Sequence, residues 1–488
     1  MNFLQWVYNL VWGAPALILI LGVGLYLTVR TRCAQLRLLP RALRRFFSCF
    51  SQAPMQEDGI SPFAALCTAL AATVGTGNLA GVAGAICIGG PGAIFWMWVC
   101  GLLGMGIKFA EATLAVRYRT RNGAGEWVGG PMYMIRHGLP GQWKCLAGIY
   151  AFFGVVAAFG VGNATQINTV IASVHDFLPL TRRGDLLLGV LLAVLVGVML
   201  LGGAKGIGRI TQRLVPFAAG AYLLLSMWVL LARWTYVPAA FVSILQGAFS
   251  PRAVTGGVVG SLFLTLRTGV SRGVFTNEAG MGTASMAHAS AQVAHPVEQG
   301  MLGVVEVFLD TIVICTMTAL VILVSGVAVP YGTDVGVSLT AAAFSAVLGA
   351  WVNPVLTACL CLFAIATVLG WGLYGIRCAQ YLLGDKAWKP FAALQMVTVV
   401  IASVLQTETV WRLAETVNGL MAIPNLIVLL ALAPELIELY KNYTNGGQYE
   451  NICQCQSLRI FSHAHVPPVG SGRQRGRQEN LPSEHRSA

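Results

Sequence analysis

Eleven apolar runs of membrane length follow one another along this chain, at approximately residues 12–29, 61–88, 91–116, 146–174, 184–202, 212–232, 256–288, 300–326, 354–383, 390–406 and 411–433. A helix needs about 20 apolar residues to cross the hydrocarbon layer. Only helices and closed barrels satisfy their own backbone groups there. The expected class is an all-α polytopic membrane protein. Composition agrees, since 56% of the 488 residues are hydrophobic and 10% are charged, against about a quarter charged in soluble domains. Too few polar side chains remain to clothe a water-facing globule of this size. That sets aside soluble enzymes, nucleic-acid binders and disordered scaffolds. A shorter apolar stretch at 337–349 reads as a surface helix that does not cross. The first run lacks a basic leader and a small-residue cleavage site, so it reads as a retained span.

The net charge of +12 would suggest nucleic acid in a soluble protein; here the basic residues sort by side of the membrane. With the N-terminus outside, 22 Lys and Arg fall in cytoplasmic segments and five, Arg182, Arg183, Arg233, Arg252 and Arg412, fall outside. Basic residues stay on the cytoplasmic side, so the expected orientation is N-out, C-in, in the cell inner (plasma) membrane. Residues 1–441 read as the transmembrane domain. The polar tail 442–488, ending in an Arg-, Gln-, Ser- and Gly-rich stretch, reads as disordered; it is either a solvated tail or a contact for anionic lipid. Cys453 and Cys455 form a lone CxC without the second pair a metal site needs.

Two runs refuse to be ordinary helices. In the second, Gly75-Thr-Gly-Asn78 lies near mid-membrane; in the seventh, Asn277-Glu-Ala-Gly280 and Gly282 do the same. An opened turn frees N–H groups that suit a carboxylate and C=O groups that suit a small cation. The alternative is a glycine-rich packing face on a straight helix. The two interruptions lie five spans apart. Interrupted segments at matching positions of two halves point to the inverted repeat of a secondary transporter and to its site.

Several motifs carry a family resemblance. Gly59-Ile-Ser-Pro-Phe63, Ala72-Thr-Val-Gly-Thr-Gly-Asn78, Gly89-Gly-Pro-Gly-Ala-Ile-Phe-Trp-Met-Trp98 and Lys108-Phe-Ala-Glu-Ala112 resemble the alanine/glycine:cation symporter family. So do Gly129-Gly-Pro-Met132, Val274-Phe-Thr-Asn-Glu-Ala-Gly-Met-Gly282 and Asn418-Gly-Leu-Met-Ala-Ile-Pro-Asn425. The resemblance runs from about residue 10 to 440. It implies a leucine-transporter-like fold of five plus five helices in inverted repeat (about 61–232 and 256–433), with 12–29 as an extra helix. It also implies uptake of alanine or glycine coupled to sodium or protons.

Polar residues at membrane depth are the remaining candidates. Gln166 on the fourth span needs partners, either other helices or a ligand; the resemblance places it in a substrate pocket. Thr367 and Trp371, one turn apart, share a helix face. Core packing is the plain reading of such a tryptophan. The resemblance makes Trp371 a wall of the substrate's side-chain space, and it lets Thr367 complete a sodium shell with carbonyls near Thr73 and Gly75. Where relatives often carry an acidic residue after Tyr-Gly, this chain has Ile376. Glu306 and Asp310, four apart, read as ion-coupling groups or as structural partners of Arg267 or Arg272. Glu278 with Arg272, and Lys108 with Glu111, read as structural pairs.

No GxxxxGK[ST] loop, HExxH or nucleophile elbow occurs, which argues against an ATP-driven pump and an enzyme. The expectation is a monomeric symporter without a cofactor, its substrate held by Thr73, Gly75, Gly77, Asn78, Gln166, Asn277, Gly280 and Trp371. A proton-coupled carrier, a channel and a non-transporting receptor are its rivals.

Overall fold

A computed structural model describes residues 13–51, 60–175, 178, 180–251, 255–257, 261–333, 335–405 and 407–446. The CxC and nearly all of the tail lie outside the described residues. The chain is helical almost throughout, with one two-stranded hairpin on a loop.

Helix α1 (Ala14–Arg30) turns by 79° into α2 (Ala34–Ser51). Sequence reasoning left 34–51 as a loop. The structure makes it a helix because Ala34, Leu38 and Ala42, four apart, are buried while Arg37, Arg41 and Arg44 stay exposed. The first broken span follows. Ser61 caps α3 (Pro62–Thr73) by accepting from the Ala64 N–H, with Pro62 at the position where a missing N–H costs nothing. The chain resumes as a π turn (Gly77–Gly81) and α4 (Val82–Gly89), bent by 50° from α3. Helix α5 (Ala93–Arg117) is mostly buried and runs through the centre.

A hairpin, β1 (Thr120–Arg121) with β2 (Trp127–Val128), leads to the short α6 (Pro131–Gly138). Next come α7 (Lys144–Phe159), a second π turn (Gly160–Ala164) and α8 (Thr165–His175). Helices α9 (Arg182–Leu201) and α10 (Gly203–Ala232) complete the first half. The outer character of α9 is plain, since Leu187, Leu191, Val198 and Leu201 are 64–70% exposed. Such an apolar exterior suits lipid, not water.

A helix that sequence reasoning did not place, α11 (Val237–Phe249), precedes the second broken span. There α12 (Leu262–Asn277) stops, residues 278–284 run without helix, and α13 (Ser285–His288) follows. Helix α14 (Pro296–Val307) passes through a third, longer π segment (Phe308–Cys315) into α15 (Thr316–Val324). The expected surface helix is α16 (Val337–Leu348). Helices α17 (Val352–Leu383), α18 (Trp388–Ala402), α19 (Thr407–Ala431) and α20 (Ala433–Thr444) end the described chain.

Each expected span thus has a helical counterpart. Among the described residues, six helices are long and apolar enough to cross alone, and bent pairs raise this to nine. The runs at 256–288 and 390–406 fall short as single helices, with 16 residues in α12 and 15 in α18.

Candidate functional site

At the first break Val74 leaves the helical region (φ −79°, ψ 93°). The Gly75 N–H donates to Asn78 Oδ1 at 2.9 Å, so Asn78 caps the opened turn. Backbone pairing resumes only with the Asn78 N–H on the Gly75 carbonyl at 3.3 Å. The N–H groups of Thr76 and Gly77 meet no acceptor among the described residues. A glycine is required at 75 by space, because a Cβ there would stand 2.6 Å from Thr367 Oγ1 and 3.5 Å from Gln166 Oε1. Gln166 is fixed in turn. Its Oε1 accepts from the Thr76 hydroxyl at 3.0 Å, and its Nε2 donates to the Val161 carbonyl at 3.2 Å.

At the second break Glu278 adopts the left-handed region (φ 52°), and Gly280 and Gly282 follow at φ 94° and 76°. The N–H groups that would continue α12 are diverted. Ala279 N–H donates to Asn277 Oδ1 at 2.9 Å, while Gly280 and Gly282 donate to Glu111 Oε1 at 2.9 and 3.0 Å. Helical pairing ends with the Glu278 N–H on the Val274 carbonyl at 2.9 Å, just before Phe275 and Thr276. These two residues face Gly77: a Cβ on it would lie 3.5 Å from the Phe275 ring and 3.6 Å from Thr276 Cγ2. The two breaks therefore confront each other. The start of the first broken span and the end of the second also join, the Gln292 N–H donating to the Ile60 carbonyl at 3.0 Å.

The fold brings Gly75, Gly77, Asn78, Gln166 and Thr367 to one place. Trp371, almost wholly buried, lies against Gly162 of the second π turn and donates from Nε1 to Glu278 Oε1 at 2.8 Å. Thr73 ends α3 with its hydroxyl turned back on the Ala69 and Leu70 carbonyls. Asn277 Nδ2 donates to Thr311 Oγ1 at 3.1 Å. The Gly280 carbonyl is taken by Asn425 Nδ2 at 2.8 Å. Ile376 stands apart, on a cleft of about 700 Å³ with Arg377 and Lys386.

The carboxylates correct the sequence reading. Glu306 and Asp310 take different partners. Glu306 lies 3.3 Å from Lys108 Nζ and 2.8 Å from His288 Nε2, and its partner is neither Arg267 nor Arg272. Asp310 accepts from Asn78 Nδ2 at 2.6 Å and from the Thr311 hydroxyl at 2.8 Å. Glu278 holds Trp371 and Thr283, not Arg272. The Lys108–Glu111 pair exists at 3.8 Å, but the nearer carboxylate to Lys108 is Glu306. Sequence reasoning missed Glu111 as the cap of the second break. The signal available was its place, one turn after Lys108, as a carboxylate in an otherwise apolar run.

The chain matches the family described as the sodium:alanine symporter family over residues 1–454. It belongs to that family. Members are transporters, not enzymes, and this multi-pass membrane protein is one of them. The sodium/alanine symporter AgcS of Methanococcus maripaludis is 44% identical over 441 residues, covering 90% of this chain and 96% of that one. The amino-acid carrier protein AlsT of Bacillus subtilis is 35% identical, covering 87% and 88%. The crystal structure of MhsT in complex with L-phenylalanine superposes with a TM-score of 0.55 at 15% identity. It covers 79% of this chain and 99% of MhsT. That likeness fixes the leucine-transporter-like fold of this symporter-family chain.

Proposed function

We propose that the protein imports a small neutral amino acid, alanine or glycine, together with Na⁺ by alternating access. One observation carries the reading: the N–H groups that the opened turn leaves at Thr76 and Gly77 lie beside the end of α12 at the second break, Gly77 against Phe275 and Thr276. A zwitterion presents its carboxylate to the first break and its ammonium to the second. Gln166 and Thr367 border the carboxylate end. Trp371 walls the far side and limits the side chain to a hydrogen or methyl. Sodium, a hard cation that prefers oxygen ligands, finds hydroxyl and carbonyl oxygens at Thr367, Thr73 and Gly75. By linkage, the ion that raises amino acid affinity is bound more tightly when the amino acid is present.

The AgcS and AlsT names support amino acid transport, and the AgcS name supports sodium and alanine. Asp310, bonded directly to the Asn78 cap, favours a second reading in which a proton is the coupled ion. We place the N-terminus outside and the C-terminus in the cytoplasm, in the cell (inner or plasma) membrane. There the basic face of α2 would meet anionic lipid. Both breaks belong to one chain, so a monomer suffices for transport.

Labelled alanine and glycine uptake into proteoliposomes tests the reading. An inward sodium gradient should drive accumulation that collapses when the gradient is dissipated. Accumulation driven by a pH gradient alone would assign the coupling to protons. Gln166→Ala removes the acceptor that holds the Thr76 hydroxyl at the first break and should raise the half-saturating substrate concentration about tenfold, as loss of one good hydrogen bond does. An unchanged value removes Gln166 from the pocket.

A further inference from the structure

The hydrogen bonds at the two breaks converge. On one side the Gly75 N–H donates to Asn78 Oδ1, which turns the Asn78 amide so that Nδ2 donates to Asp310 Oδ1 at 2.6 Å. Asn78 Nδ2 also lies 3.4 Å from the Asp310 carbonyl and 3.4 Å from Cys315 Sγ. On the other side the Ala279 N–H donates to Asn277 Oδ1, which turns that amide so that Nδ2 donates to Thr311 Oγ1. With its lone pair engaged, the Thr311 hydroxyl spends its proton on Asp310 Oδ2 at 2.8 Å. The backbone N–H on each asparagine settles which end of the amide is oxygen. All five residues are buried, from Gly75 and Asn78 to Asn277, Asp310 and Thr311.

We propose that Asp310 is a positioning residue that ties both helix breaks to one carboxylate, so that residues 75–78 and 277–279 are set jointly. Each arm needs its own acceptor oxygen, and a carboxylate is the side chain that offers two of them without a donor. Consecutive residues of a helix point about 100° apart. Asp310 and Thr311 can therefore reach two different broken helices from one π segment, a geometry common at working sites. The glutamate at 111 holds the second break from the opposite side, through Gly280 and Gly282. It is independent of this chain. The inference rests on the transport reading for its consequence, because a carboxylate–ammonium pair would bind best when both breaks keep one geometry.

Hydrogen exchange of the full-length protein, resolved to single amides and measured without substrate, tests the tie separately from the transport reading. Thr311→Val keeps the shape and removes one arm. The Ala279 amide should then exchange about tenfold faster, while Gly75 stays unchanged and Gly280 and Gly282 serve as internal references. Asp310→Asn leaves one acceptor for two donors, so both the Gly75 and Ala279 amides should accelerate. Asp310→Glu, which restores two oxygens, should recover part of the protection. The proposal is overturned if Thr311→Val leaves Ala279 unmoved, or if Asp310→Asn moves Gly75 alone. In uptake, Asp310→Asn should raise the half-saturating alanine concentration more than it lowers the maximal rate. The reverse split would mean that Asp310 serves stability and not the binding geometry.

Discussion

Gly75→Leu should reduce amino acid uptake to the level of empty liposomes while the purified protein remains monodisperse. The first atom of any side chain at this position stands 2.6 Å from Thr367 Oγ1, and the remaining atoms of leucine would fill the gap between the breaks. Forcing extra atoms into a packed site costs about 1–3 kcal/mol for small additions, so even Gly75→Ala should lose several-fold to a hundredfold of the rate. Thr367→Ala removes the offending hydroxyl. Combined with Gly75→Ala, it should recover part of the transport that Gly75→Ala alone loses. Full uptake by Gly75→Leu would dismiss the first break as the binding site.

Lys108→Met carries the largest expected loss of stability. Lys108, Glu111, Glu306 and His288 are wholly buried, and the single ammonium stands between two carboxylates. Removing one member of a buried ion pair costs about 3–5 kcal/mol, because the partner's charge is left without compensation. The variant should melt well below the parent in detergent and express poorly. Adding Glu306→Gln removes one of the stranded charges and should restore part of the loss, a non-additivity that a double-mutant cycle reads directly. If the two changes simply add, Lys108 and Glu306 are not a functional pair.

The spans were legible in the sequence because burial in lipid imposes one rule on every crossing: a long apolar run whose backbone pairs with itself. The first break was legible for the complementary reason, since Gly75-Thr-Gly-Asn78 offers neither helix propensity nor apolar cover. Asn78, expected to touch the ligand, also caps the opened turn, a role that sequence spacing did not reveal. Partners distant in sequence stayed hidden. Glu306 is paired with Lys108 on α5, roughly two hundred residues earlier, and not with the nearby arginines that spacing suggested. Helix α2 was missed because its alternation of arginine with buried small residues reads as a charged loop until a packing partner is known.

Three π segments among the described residues, at 77–81, 160–164 and 308–315, lie at the first break or against residues that hold the two breaks, Asp310 on Asn78 and Gly162 on Trp371. Each stores one residue more than an α-turn would hold, like slack in a rope. Such slack can migrate by exchanging carbonyl partners one at a time, and each step turns the residue it passes by about 100° while the stretches on either side stay in place. Single side chains along these segments can thus be turned toward or away from the breaks without melting the helix that carries them.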